Sequence, residues 1–381
     1  MVLRTMRLYL LPAILPAMLA AQKLTTFEGR EGLLIDNDKV ELVVLNRGGA
    51  FTSLLLKDDA EKLSPLWNPA RASRLAGDPP RFGDSMGHFV CVDGFGPTSA
   101  DETKAGFQGH GEAHRQPWQV ARQGRSGNRV SVTFRTMLPA VQEVFTRKID
   151  ILDGEQVAYV ESELESLVSF DRPINWAEHG TIGSPFLAPE ATVVDASVGQ
   201  CKTRPHNNAP QHRLASDKEF KYPAAPAITD GPPVNIRAVP PQPNSMDHTG
   251  CALDPSRRLV FVTALRTDKR LLFGYLLRRE EYPWLQEWMN YPRNLNLARG
   301  LEFGTQPFDL PRRTIIDMHQ LFGVPTYRWL PAKGKIGTKF LMFYTRVPEG
   351  FRQVDDVRQE AGKLVIQGSG QTITLASSDP L

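Results

Sequence analysis

The sequence predicts an all-β protein built as one large antiparallel β-sandwich. Three observations predict it: short β-branched or alternating apolar runs recur along the chain, each is bounded by Gly, Pro, Asn or Asp, and 3.6-residue helical periodicity is nearly absent. The runs are residues 40–45, 129–135, 142–151, 156–164, 258–265, 270–277, 314–322 and 339–347.

Taken in order, residues 1–22 come first. Arg4 and Arg7 precede an apolar run from Leu8 to Leu19, and Ala20-Ala21 closes it, which is the layout of a secretory signal peptide. That run is about 12 residues long, short of the roughly 20 needed to span a bilayer. The expectation is a signal peptide over 1–21 and one mature domain over 22–381, periplasmic or secreted, with no membrane association after cleavage. The pair 141–152 and 155–166, joined at Asp153-Gly154, reads as a hairpin whose first strand shows Arg147, Lys148 and Asp150 on a solvated face. Residues 203–249, with seven prolines from Pro223 to Pro243, read as loop, since proline removes ladder donors. A long irregular insertion of this kind is a candidate cover for a binding cleft. The Gly-rich stretch 65–101 is expected to fold back toward the same site.

Net charge is only +3, with acids and bases interspersed, so nothing points to nucleic acid, which needs a clustered basic face. Cys91, Cys201 and Cys251 are far apart and match no metal spacing. One disulfide with an odd thiol, or three buried thiols, both fit.

The most informative segment is Gly109-His110-Gly111-Glu112-Ala113-His114-Arg115-Gln116-Pro117-Trp118, which sets two imidazoles four apart on a turn. From His110 to Trp118 it resembles the His-Gly-x-Ala-Arg-x-x-Pro-Trp segment of aldose 1-epimerases and their hexose-6-phosphate relatives, in the galactose mutarotase-like superfamily. Further stretches fall in that superfamily's order: Asn46 to Leu54 as the Gly-Gly turn and strand, Val144 to Ile151 as the central hairpin, and Asn175-Trp176-Ala177-Glu178-His179 as the second-histidine segment. Leu301 to Phe308 resembles the Glu-centred motif, and Leu330 to Lys335 with Lys339 to Tyr344 resembles the closing turn and strand.

The resemblance implies a galactose mutarotase-like supersandwich and the interconversion of sugar anomers. That reaction removes a proton from the C1 hydroxyl and protonates the ring oxygen, so one base and one acid suffice, with no metal or organic cofactor. A carboxylate withdrawn from water and an imidazole titrating near neutrality suit the two roles. The resemblance assigns Glu302 as base, His179 as acid and His110 as a sugar contact. His114 stands where the epimerase motif has Arg, so Arg115 could replace the lost contact, and phosphorylated sugars are disfavoured. The acidic substrate-binding residue is open among Asp93, Asp230 and Asp247. Trp118, Trp176, Trp284 and Trp288 could supply an aromatic platform, and Arg293 planar donors.

Ordinary structural roles stand beside these. A histidine between glycines can satisfy backbone groups, Glu302 can face solvent on a half-exposed sheet, and tryptophans commonly pack in cores. The other functional alternatives are a non-catalytic carbohydrate-binding protein on the same fold, and an accessory domain of a polysaccharide lyase or glycoside hydrolase.

Overall fold

The computed structural model describes residues 22–77, 85–206 and 209–381. The expected signal peptide, 1–21, lies outside the described residues. Two antiparallel sheets face each other, one of 12 strands and one of eight. The smaller runs Thr192–Ala196, Leu259–Arg266, Leu271–Arg278, Lys335–Arg346, Val157–Ser166, Glu143–Leu152, Arg129–Leu138 and Gln119–Ser126 in spatial order. The larger contains His88–Val92, Trp176–Gly183, Glu302–Gly304, Trp284–Tyr291 and Ser245–Leu253, which carry the site. The main core lies between the sheets.

A third layer covers the far face of the eight-stranded sheet. Asp356–Glu360, Lys363–Gly368 and Gln371–Ala376 form a three-stranded sheet. Its Val357, Leu364 and Ile366 join Leu272, Leu276 and Phe343 in a second apolar cluster. That explains why Leu271–Arg278 is buried along nearly its whole length instead of alternating.

The expected hairpin is present, with Glu143 opposite Ser166 and Ile151 opposite Ala158. Its solvated face needs correcting. Side chains alternate, so Arg147 shares the inward face with Phe145, Ile149 and Ile151, whereas Lys148 points out. Arg147 is fully buried, and its Nη2 donates to Glu178 at 2.6 Å. Glu178 also accepts from Tyr282 at 3.0 Å and Trp176 at 3.2 Å, and sits 2.9 Å from His88. Asp150 is almost fully buried as well, ion-paired to Arg129 and Lys148.

Residues 314–322 are not a strand. Arg312–Met318 is a short helix, followed by the two-residue strand Gln320–Leu321. The adjacent isoleucines suggest extended chain, but only Ile315 is buried and Thr326 donates its hydroxyl to the Ile315 carbonyl, so packing decides the helix. Residues 203–249 are not wholly loop either. Glu219–Lys221 pairs with Val198–Thr203 at the edge of the large sheet, and Ala224–Ala225 pairs with Val234–Asn235. The prolines sit mainly in the connections, and the strand Ser245–Leu253 begins inside the range. Cys201 and Cys251, opposite each other in neighbouring strands, form a disulfide, and Cys91 is a buried free thiol. Among the described residues no helix is long and apolar enough to cross a membrane.

Candidate active site

Strand alternation builds the site. In Trp176–Gly183, Trp176, Glu178 and Gly180 face the core, and Ala177, His179 and Thr181 face the other side. Phe89 pairs with His179, and the Glu178–Phe303 register sets His179 beside Glu302. Glu302 pairs with Gln286, and Gln286 with Gly250. One row across five strands therefore forms a polar floor on the face turned away from the smaller sheet. His248 and Trp288, paired with each other, form the next row of that floor.

Loops raise the walls. Trp67, Ser85, Phe95, His110 and Asp309 close round Phe89, His179, Glu302, Trp288 and His248 to make a cavity of about 310 Å³. As expected, the stretch 65–101 contributes to it. His110 sits at φ 63°, beside Gly111, where a Cβ would lie 2.1 Å from the Val92 carbonyl. Only glycine allows the loop that close to the strand. Glu112 anchors the loop by accepting from the Ala140 and Val141 amides at 2.9 and 3.2 Å.

Within the cavity, His179 Nε2 stands 3.3 Å from Glu302 Oε1, and its Nδ1 stands 3.0 Å from the Thr181 hydroxyl. The ring stacks on Phe89 at 4.2 Å between centroids and lies 5.3 Å from the His110 ring. His110 Nδ1 accepts from the Gly96 amide at 3.3 Å, which leaves Nε2 as the hydrogen-bearing nitrogen of the neutral ring. Burial raises the Glu302 carboxyl well above the usual range, reinforced by Asp309 and Glu287. Burial pushes His179 well down, reinforced by His110, and brings His110 to about 4. Burial therefore favours the uncharged forms of both the carboxyl and the imidazoles in this row.

The other candidates sit elsewhere. His114 is fully buried and outside the cavity wall; Arg115 Nε donates to its Nε2 at 2.9 Å, and burial takes it down to about 3. Arg115 braces the loop through Gln108 and the Gly109 carbonyl and does not border the cavity. Trp176 is in the core, as its parity with Glu178 requires, and does not line the cavity. Trp288 does line it, edge-on to Trp67 at 5.9 Å. Arg293 is exposed on the turn after Trp284–Tyr291 and outside the cavity wall.

None of Asp93, Asp230 and Asp247 borders the cavity. Asp93 is buried against Arg172 and Arg312, Asp247 against Arg213, and Asp230 is exposed. The acidic residue on the wall is Asp309, which sequence reasoning missed, together with His248. Asp309 accepts from Arg204 and stands 2.9 Å from His248 Nδ1. Burial opposes its charge, but His248 and Arg204 hold its carboxyl down at about 2. Parity along 245–253 could have separated His248 from Asp247; Asp309 arrives on a loop and has no such signal. Among the described residues no three His, Cys, Asp or Glu are grouped to hold a metal ion.

Comparison with solved structures shows the class to which this fold belongs. A galactose mutarotase-like protein from Clostridium acetobutylicum matches with a TM-score of 0.59 at 11% identity, over 86% of this chain and 99% of that one. A protein described as a candidate aldose 1-epimerase, from Klebsiella pneumoniae, matches with a TM-score of 0.59 at 12% identity, over 85% and 82%. A galactose mutarotase related enzyme from Lactobacillus acidophilus matches with a TM-score of 0.55 at 13% identity, over 82% and 97%. No protein-family model and no curated protein matches the sequence. The chain has the galactose mutarotase-like fold, an all-β antiparallel sandwich.

Proposed function

We propose that this protein is an aldose 1-epimerase-like enzyme, and that its cavity binds a free sugar whose anomers Glu302 and His179 interconvert. The observation that carries the reading is the 3.3 Å approach of His179 Nε2 to Glu302 Oε1 inside a cavity that His110 also lines. The uncharged forms that burial favours are one proton transfer from carboxylate and imidazolium. In that charged form Glu302 takes the C1 hydroxyl proton while His179 delivers one to the ring oxygen. His110, with its Nε2–H, is suited to donate to the sugar near the same oxygen. Trp288 and Trp67 offer the apolar faces of a pyranose a wall.

Export to the periplasm or the exterior is part of the proposal. It is supported by the signal-like layout of the first 22 residues and by the Cys201–Cys251 disulfide, which suits an oxidising compartment.

The test is mutarotation of α-D-glucose and α-D-galactose, followed by polarimetry or exchange NMR on the mature protein and Glu302→Gln. Catalysis by the native protein and a loss of about 10²-fold or more in the variant are expected. Mutarotation at the uncatalysed rate across a panel of aldoses would sink the enzyme and leave a carbohydrate-binding protein.

A further inference from the structure

His248 and Asp309 form a second polar unit in the cavity that the ring-opening chemistry does not use. The carboxylate is clamped on one side by Arg204 Nε and on the other by His248 Nδ1, both at Oδ1. Arg204 also donates from Nη2 to the Asp309 carbonyl at 3.1 Å, and its amide donates to the His248 carbonyl at 2.9 Å. Three distant stretches of chain thus fix one imidazole. Gly250, next along the same face of that strand, makes this possible: a Cβ there would lie 2.0 Å from the Pro307 carbonyl, so only a glycine lets the segment bearing Asp309 cross the floor.

The other nitrogen, His248 Nε2, is buried and has no hydrogen-bond partner among the described residues, although the ring forms part of the cavity wall. Its side chain is 9% exposed. A buried polar atom left unpaired in this way costs free energy that a ligand can recover. With Nδ1 directed at Asp309, Nε2 is the ring atom left to meet a ligand. The neighbouring carboxylate, its side chain 26% exposed, is an acceptor. What such a corner takes up is a hydroxyl, which can donate to the carboxylate and pair with the imidazole nitrogen in either role.

Its position says which donor. The strand carrying His248 is two strands from the one carrying Glu302, with Trp284–Tyr291 between them. At about 4.8 Å per strand, and with His248 one row or about 7 Å further along, the two Cα positions lie about 12 Å apart across the floor, and both side chains border the same cavity. In a pyranose, C4 stands across the ring from C1. We infer that His248, held by Asp309, recognises the free C4 hydroxyl of the sugar whose anomeric carbon lies at Glu302 and His179, so that the substrate is an aldose unsubstituted at that hydroxyl. This rests on the ring-opening assignment above. It goes beyond it by naming a specificity-determining residue and the end of the sugar that is read.

The test compares D-glucose, 4-deoxy-D-glucose and maltose, whose reducing glucose is linked through O4. Mutarotation kcat/KM is measured for the native protein, His248→Ala and Asp309→Asn. The native protein is expected to prefer glucose over both analogues by about tenfold or more, since a site built around a hydroxyl rejects a sugar that lacks it. Both variants should shrink that ratio toward one, a change that a loss of folded protein, which scales all three substrates alike, does not produce. Equal native turnover of the three sugars, or an unchanged ratio in both variants, overturns the inference while leaving the epimerase intact. If no sugar is turned over, the epimerase reading fails, and the same ratio read as Kd by ligand-observed NMR still decides the role of His248.

Discussion

Gly300 makes room for the carboxylate of Glu302: a Cβ at residue 300 would lie 2.0 Å from Glu302 Oε1. The two residues end one strand and begin the next, Ala298–Gly300 and Glu302–Gly304, and both face the cavity side of the sheet. The atom that must yield to a new methyl group is the far end of a side chain, not backbone. Gly300→Ala is therefore expected to keep its thermal unfolding midpoint within a few degrees while mutarotation falls about 10²-fold, the penalty of misplacing a catalytic group by about 1 Å. Parallel thermal melts and polarimetry check both halves; undiminished activity would separate Glu302 from the chemistry.

His110 connects the cavity to acid stability. Burial lowers its pKa from the ordinary 6.5 to about 4, so the folded state favours the neutral ring. The stability this contributes is complete above pH 6.5 and is lost as pH falls toward 4, amounting to about 3 kcal/mol. His110→Gln should flatten the native slope in urea unfolding measured from pH 7 down to 4. An identical slope in the variant would place the acid sensitivity elsewhere.

The buried pair Arg147–Glu178 sits directly behind the strand that presents His179. Arg147→Met leaves the Glu178 charge facing the core with Tyr282 and Trp176 alone to donate to it, apart from His88, and should cost about 3–5 kcal/mol. Replacing both, as Arg147→Met with Glu178→Gln, should recover much of that loss. Urea midpoints of the two singles and the double give the coupling directly, and additive effects would show that the pair does not act as a unit.

The disulfide joins strands Val198–Thr203 and Ser245–Leu253 across a separation of 50 residues. Closing a loop of that length restricts the unfolded chain by about 4 kcal/mol in the chain-entropy account. Reduction, or Cys201→Ser with Cys251→Ser, should lower stability by up to that amount. It should also loosen the insertion 203–249, which limited proteolysis would detect.

Much of the fold was legible because strand signals are local. The hairpin around Asp153-Gly154 and the strands near 40–45, 259–266 and 271–278 follow from alternation and turn residues within a few positions. The helix Arg312–Met318 was not, because its β-branched residues speak for strand and only the contacts of Ile315 and Thr326 overrule them. Arg147 was misplaced because a charge reads as solvent-facing until its partner, 31 positions away, is known.

The same division runs through the site. His110, His179 and Glu302 could be named from their motifs. Alternation alone could have told that Trp176 and His179, three apart on one strand, face opposite ways. The sequence by itself determined the all-β sandwich and the residue types available for proton transfer, since both rest on short-range patterns. Only the tertiary structure decided that His179 meets Glu302, that His114 and Trp176 are internal, and that Asp309 and His248 complete the cavity. Those facts depend on strand register and loop crossings between residues tens to more than 100 positions apart, such as His248 with Asp309 and His179 with Glu302, which no local pattern encodes.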